Sequence, residues 1–368
     1  MGSTYGKVLK ISIFGESHGE VIGAVIDGFP EGIAIDDAFI SAEMARRAPG
    51  GPLSTNRNES DQVKIVSGVL GGFSTGAPIC GIIENSDTRS KDYDKFRNVP
   101  RPSHADYTGG LRYKGYNDPR GSGHFSGRLT APLVFCGALC KLYLRSKGIE
   151  IGSHFRSIGD ASEKSLIEYP QDWVNIQLFK TLRGKELSFI EDDSMKKAIH
   201  NINEAREDLD SIGGQVECAI LGVEPGYANP MMETIESRIA ALAFSVPAVK
   251  GIEFGAGFAF SGKKGSEAND CYVIEEGKVK LETNNNGGCL GGISNGAPII
   301  FNVVFKPTPS IGKPQETLNL FTEEMEALEI KGRHDPCIAV RGLPVIEAIA
   351  AIAISDIIIE GCGYAGKS

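Results

Sequence analysis

Two stretches of this sequence are apolar almost all the way round a helix, and helices of that kind belong inside a core rather than on its surface. The first, at about 127–146, reads GRLTAPLVFCGALCKLYLRS, and the second, at about 344–360, reads PVIEAIAAIAISDIIIE. Ser126 stands where the first would take its N-cap, and Pro344 suits the first helical position of the second. Neither reads as a membrane span. No segment approaches the roughly 20 uninterrupted apolar residues of such a span, and Glu347, Ser355 and Asp356 break up the second stretch. Any fold for this chain must therefore supply layers that cover two buried helices.

The covering layers are legible as strands. Residues 7–14 (KVLKISIF) and 21–29 (VIGAVIDGF) are rich in β-branched and aromatic residues, are bounded by Gly and Pro, and are joined by the short loop GESHGE. Further strands are expected at 62–70 and 77–84, followed by a long glycine-rich polar loop from about 86 to 126. Residues 36–47 (DDAFISAEMARR) predict a helix opened by acids and closed by arginines. A charged surface helix is expected at 192–210 and a half-buried one at 233–246. The chain also echoes itself. LGGFSTGAPI at 70–79 returns as LGGISNGAPI at 290–299, each followed by an apolar β-type run, which suggests two related β layers with a Gly-rich turn feeding a strand. Antiparallel sheets enclosing buried helices accommodate this order, whereas an alternating βαβ doubly wound sheet does not. The length of 368 residues allows two to three average domains or one large one.

Composition narrows the function. Asp and Glu (47) outnumber Lys and Arg (38), and the net charge of −9 disfavours duplex nucleic acid as a main ligand. Eight cysteines form no CxxC pair and six histidines no HExxH, so no metal site is expected and the thiols read as free and buried in a reducing compartment. The start, MGSTYGKVLK, lacks an apolar signal core, and the expectation is a cytoplasmic protein.

Four clusters could carry chemistry. GESHG (15–19) fits the G-x-S-x-G nucleophile elbow with Ser17, but that motif needs a helix after it and VIGAVIDGF reads as a strand; His18 then becomes the residue of interest. RPSHADYTGGLRYKGYNDPRGSGHFSGR (101–128) sets five basic side chains, Arg101, Arg112, Lys114, Arg120 and Arg128, against Asp106 and Asp118. It could be an RGG-like RNA loop or a solvated one, but GSGHFSG leads into a helix N-terminus and suits an anion pocket better. It is not GxGxxG and no apolar strand precedes it, so a dinucleotide site is unsupported. KGRHDPCIAVRGLP (331–344) gathers Arg333, His334, Asp335 and Arg341, as a surface pair or a proton relay. KPTPSIGKP (306–314) is a Pro-stiffened loop with Lys306 and hydroxyls suited to phosphate. Arg46 and Arg47 could be solvated cap charges or anion ligands. Together these favour an enzyme site for an anionic small molecule.

In order, GESHG, ARRAPG, RPSHADYT, RGSGHFSGRLTA, PAVKGIEFGAGF, NNNGGCLGGISNGAPI, KPTPSI and GRHDPC resemble the signature blocks of the chorismate synthase family, across residues 15 to 337. The resemblance implies an α+β fold in which central buried helices are sandwiched between antiparallel β-sheets, one large domain over residues 1–368, and a homotetramer. It implies a lyase of the shikimate pathway that performs the anti-1,4-elimination of phosphate from 5-enolpyruvylshikimate 3-phosphate, giving chorismate with the help of reduced FMN. It further implies His18, His104 and Asp335 as catalytic residues and Arg46, Arg47 and Arg128 as substrate ligands. Flavin contacts are implied for His124, Phe125, Ser126, Pro247, Ala248, Gly291, Lys306, Pro307, Thr308, Pro309, Ser310 and Arg333. NADPH enters only if flavin reduction is intrinsic; otherwise an external flavin reductase is the implied partner, with neither nucleic acid nor membrane. Two departures stand out: many relatives carry Arg-Ser-Ser where this chain has His124-Phe125-Ser126, and Leu53 lies near the place of a second arginine, with Arg57 displaced.

Overall fold

A computed structural model describes residues 2–49, 53, 61–85, 94–330 and 335–365. Its helices are α1 (Asp37–Arg47), α2 (Asp106–Arg112), α3 (Thr130–Ser146), α4 (Ile176–Arg183), α5 (Asp192–Glu207), α6 (Ile235–Ala243), the single turn α7 (Gly265–Ala268) and α8 (Ala339–Ala365). The first sheet holds β1 (Thr4–Tyr5), β2 (Lys10–Gly15), β3 (Val21–Asp27), β4 (Val63–Ser67) and β5 (Ile79–Glu84), in the order β1-β2-β3-β5-β4. The second holds β6 (Glu150–Ile158), β7 (Ala161–Ser162), β8 (Gly214–Leu221), β9 (Val249–Phe254) and β10 (Ile299–Phe305), in the order β7-β6-β8-β10-β9. Every pairing within both sheets is antiparallel.

The two apolar helices fill the space between the sheets, α3 against the first and α8 against the second. They cross closely because Gly137 of α3 carries no side chain: a Cβ there would lie 2.3 Å from that of Ala348 on α8. Phe135 of α3 packs down onto Gly81 of β5, and Phe305 of β10 onto Gly342 of α8. One continuous apolar core runs through both sheets and both helices, from Leu9 to Ile358. Each such buried side chain is worth roughly 1.5–3 kcal/mol, which is why the helices are held by packing rather than by amphipathic patterning. Both are long and apolar enough to cross a membrane, yet most of each apolar stretch is buried in the core. The α+β sandwich with a pseudo-repeat is the expected architecture.

The echo in the sequence marks a repeat of the whole unit. The series β2-β3-α1-β4-β5-α3 is followed by β6-β8-α6-β9-β10-α8, and the strand order is the same in both sheets. In each unit the echoed glycines form a tight two-strand turn, Gly71 and Gly72 at φ +59° and +84°, Gly291 and Gly292 at +61° and +85°. Both central residues lie in the left-handed region, which glycine enters without a Cβ penalty. The serine two residues on does the same work twice. Ser74 Oγ donates to Pro30 O at 2.6 Å and accepts from Ile33 N at 2.9 Å; Ser294 Oγ donates to Glu224 O at 2.6 Å and accepts from Tyr227 N at 2.9 Å.

Several boundaries differ from the sequence reading. Helix α8 starts at Ala339, so Pro344 lies inside it rather than at its first position. A proline there deprives one carbonyl, that of Val340, of its usual partner, and dense packing along the rest of the helix outweighs that local cost. The 62–70 strand divides at Gly68, whose φ of +83° turns the chain after β4. Within the 86–126 loop the chain forms α2, hidden from propensity by Gly109 and Gly110, where Gly109 makes room for the Phe125 ring. Ser126 caps the helical turn leading into α3, as expected, accepting from Arg128 N at 3.2 Å.

Candidate active site

Helix α1 delivers the first site residue. Asp36 caps it by accepting from Phe39 N at 2.9 Å, and the chain leaves the helix before Pro49. Its buried stripe is Ile40, Glu43, Met44 and Arg47, a helical spacing that carries Arg47 to full burial. Arg47 Nε lies 3.1 Å from Asp61 Oδ2, and Arg128 Nη1 contacts the other oxygen of the same carboxylate. Arg47 Nη1 also donates to the Arg128 carbonyl at 3.3 Å. Arg341, in the first turn of α8, donates through Nε to the Arg47 carbonyl at 3.1 Å and through Nη1 to Asp335 Oδ2 at 2.9 Å. Arg47, Arg128 and Asp335, far apart in sequence, thus belong to one network.

His18 joins it through Asn85. The Asn85 side chain donates to the carbonyls of Glu16 and Gly19, at 3.1 and 2.9 Å, and accepts from Arg128 Nε at 3.1 Å. The GESHG loop connects β2 to its neighbour β3 as a hairpin, so Ser17 does not sit on a strand-to-helix elbow and the hydrolase motif is not realised. His18 is 8% exposed, with Nδ1 3.3 Å from Ser17 Oγ.

His104 is held from three sides. His104 Nδ1 lies 2.8 Å from Asp106 Oδ1 and 3.1 Å from Arg101 Nη2, and Nε2 lies 3.1 Å from Ser122 Oγ. Arg101 clamps Asp106 through Nε and Nη2, each at 2.7 Å, and donates to Ser122 Oγ at 3.0 Å and Ser310 Oγ at 3.2 Å. Burial would raise the Asp106 pKa, but the hydrogen bonds from Arg101 and His104 outweigh it and hold the carboxyl well below the usual range. A cavity lined by Phe96, His104, Asp106, Asp118, Ser122 and Phe125 opens beside the ring.

The segment 121–123 joins the two histidines. Gly121, Ser122 and Gly123 take φ of +55°, +73° and +52° in succession, a path open mainly to glycine. Gly121 lies against the His18 ring, Ser122 bonds His104, and Gly123 O accepts from Ser17 N at 3.1 Å.

The loop after β10 faces the same side. Lys306 Nζ donates to Ser103 O at 2.7 Å, and Lys306 N to Ala248 O at 2.9 Å, which brings Ala248 and its neighbour Pro247 to Lys306. Burial, and then the charge of Lys250, lower the Lys306 pKa. Thr308 Oγ1 is buried with no hydrogen-bond partner. A phosphate-bearing cofactor fits this loop, since it would neutralise the lysines and satisfy that hydroxyl.

Other candidate residues lie elsewhere. Arg46 points into a separate buried cluster, donating to both oxygens of Glu347 at 2.7 and 2.8 Å. Lys141 and Ser153 bind the same Glu347, and Lys141 also binds Glu43. Burial works to raise the Glu347 pKa, and the charges of Arg46 and Lys141 overcome it and hold the group low. Gly291 sits at the start of α6, where Gly292 O accepts from Ile235 N, while Pro247 and Ala248 follow the other end of that helix; one chain does not gather them. His124 is exposed and bonds Ser3 Oγ and Gly15 O, each at 3.0 Å, while Phe125 packs on Tyr113. Leu53 is buried in the core. Arg333, His334 and Arg57 lie outside the described residues.

Sequence reasoning missed Asp61, Asn85 and Ser122. Each is a short polar residue beside a strand or turn, and only the fold shows that Asp61 meets two arginines.

The family model for chorismate synthase matches residues 9–359. Chorismate synthase of Thermococcus gammatolerans is 41% identical over 361 residues, covering 98% of this chain and 99% of the relative. That of Pyrococcus abyssi is 44% identical over 353 residues, covering 95% and 96%, and that of Methanosarcina mazei is 42% identical over 356 residues, covering 96% and 95%. A crystal structure of chorismate synthase superposes with a TM-score of 0.75 at 28% identity, covering 98% of this chain and 94% of that one.

Proposed function

This chain belongs to the chorismate synthase family of lyases in aromatic amino acid biosynthesis, and from that premise we propose that it converts 5-enolpyruvylshikimate 3-phosphate to chorismate by anti-1,4-elimination. Phosphate and a ring hydrogen leave, and the reaction is redox-neutral. The observation that supports this reading best is the bridge 121–123, which touches His18 on one side and His104 on the other while Asn85 ties the His18 loop to Arg128.

His18 protonates the departing phosphate. Arg47 and Arg128 hold the anionic groups of the substrate with forked donors in a buried site. His104, oriented by Asp106 and Ser122, supplies a proton beside the cofactor, and Asp335, fixed by Arg341, relays one. Reduced FMN, when bound, would supply an electron-rich ring next to the substrate. Lys306 to Ser310, Pro247 and Ala248 would hold it, with His124, Phe125, Ser126 and Arg333 as further contacts; Arg46, engaged with Glu347, would act only through the placement of α1.

We read residues 1–368 as one domain of a cytoplasmic homotetramer, supplied with reduced flavin by an external reductase or by its own use of NADPH. Anaerobic flavin absorbance on adding NADPH separates the two. Protein with reduced FMN under anaerobic conditions should release phosphate from the enolpyruvyl substrate, and no release with reduced flavin present rejects the function.

A further inference from the structure

Asp61 is the one carboxylate shared by Arg47 and Arg128 among the described residues, and its side chain is 0% exposed. The two guanidinium groups are themselves 1% and 5% exposed. Two cations this close and this dry repel each other strongly, and an intervening carboxylate removes most of that repulsion. Asp61 also occupies a left-handed backbone conformation, φ +46°, which Asp tolerates better than most residues. That turn aims its carboxylate inward immediately before β4. Oδ1 accepts a hydrogen bond from Arg128 Nη1, and Oδ2 lies 3.1 Å from Arg47 Nε as an ion pair without a directed hydrogen bond, while Asn85 takes Arg128 Nε.

We propose that Asp61 is a positioning residue for substrate capture: its carboxylate, hydrogen-bonded to Arg128 and ion-paired with Arg47, keeps the two guanidinium groups side by side to receive the anionic groups of the substrate. The inference rests on the reading that these two arginines are substrate ligands. Asp61 neither touches the reacting atoms nor moves a proton. Its work is done before the substrate arrives, by keeping a doubly cationic seat assembled.

The test uses the full-length enzyme with reduced FMN and the enolpyruvyl substrate. Asp61→Asn keeps the shape and removes the charge. It should raise KM by about tenfold or more, change kcat by less than about threefold, and leave FMN affinity within about twofold. A KM like that of the wild type overturns the proposal. So does a lower KM, which would mean that the carboxylate competes with the substrate for the arginines. If Asp61→Asn fails to fold, Asp61→Glu keeps the charge and displaces it by one methylene, and the same rise in KM is expected. Arg47→Lys, run in parallel, separates the inference from its premise. A raised KM for Arg47→Lys with none for Asp61→Asn defeats this inference alone, whereas unchanged KM in both removes the substrate reading beneath it.

Discussion

A methyl group on the α-carbon of Gly121 would stand 2.0 Å from Nδ1 of His18. The glycine is thus a spacer whose missing side chain is filled by the imidazole, and the neighbouring Ser122 turns the other way to bond His104.

Gly121→Ala should therefore displace His18 or the 121–123 segment. Its φ of +55° adds a backbone cost of about 1 kcal/mol. Turnover should fall by about a hundredfold or more, with the thermal midpoint lowered by only a few degrees. Phosphate release and a melting curve measured on the same preparation would check this, and near-normal turnover would show that His18 does not need its present place.

Replacing His18 or His104 by Ala should lower turnover at least about tenfold while leaving flavin binding largely intact. For His104, the Asp106→Asn variant should reproduce part of the loss, because Asp106 holds the ring in place through its 2.8 Å contact with Nδ1. Flavin titration alongside steady-state rates distinguishes a chemical role from a binding one.

Stability should fall on the alkaline side because of His154. It is fully buried, with Nδ1 2.6 Å from Glu163 and Nε2 2.8 Å from Glu217. Burial alone would lower its pKa, but the two glutamates outweigh burial and raise it to about 9 from the ordinary 6.5. The unfolded chain then gives up this proton more readily than the folded one, so the stabilisation is complete below about 6.5 and is lost as pH rises through about 9. Urea midpoints for the wild type should decline over that window, and the decline should be shallower in His154→Gln.

Asp356 of α8 anchors the N-terminal segment. It accepts from the backbone N–H groups of Lys7, Val8 and Leu9, each at 2.9 Å, and pairs with Arg238. Asp356→Ala strands three backbone donors and takes from Arg238 one of its carboxylates, leaving it Glu360, and should cost about 3 kcal/mol or more in urea unfolding.

The two echoed turns allow a paired comparison. Gly72 and Gly292 share a φ of +84° and +85°, but a Cβ at Gly72 meets nothing within 4 Å, whereas one at Gly292 lies 2.3 Å from Thr234 Cγ2. Gly72→Ala should cost only the backbone term, about 1 kcal/mol. Gly292→Ala should cost clearly more, because Thr234 is the N-cap of α6 and must shift. Equal losses in denaturant unfolding would contradict this account.

The layers were readable because they rest on local physics. Near-continuous apolar runs located α3 and α8, β-branched and aromatic enrichment between Gly and Pro located β2 and β3, and Ser126 was legible as a cap from its side-chain chemistry. Helix α2 was not readable, since its two glycines oppose helix formation and the reason for one of them, the Phe125 ring, lies sixteen residues on. Repetition of the whole unit showed in the sequence only at its turns, where positive φ restricts the residue choice, while the strands needed only to stay apolar.

The sequence by itself determined that two helices must be buried, that glycine-rich basic loops must border them, and that His18, His104, Arg128 and Asp335 were candidates for chemistry. Tertiary structure decided which of the paired arginines reaches that network. Arg46 and Arg47 are adjacent and chemically identical, yet successive residues on a helix point about 100° apart. One therefore meets Glu347 in the helix core and the other meets Asp61 and Arg128. Composition and spacing are blind to that difference, because it depends on which partners α8 and the strand-edge residue Asp61 bring to each side of α1.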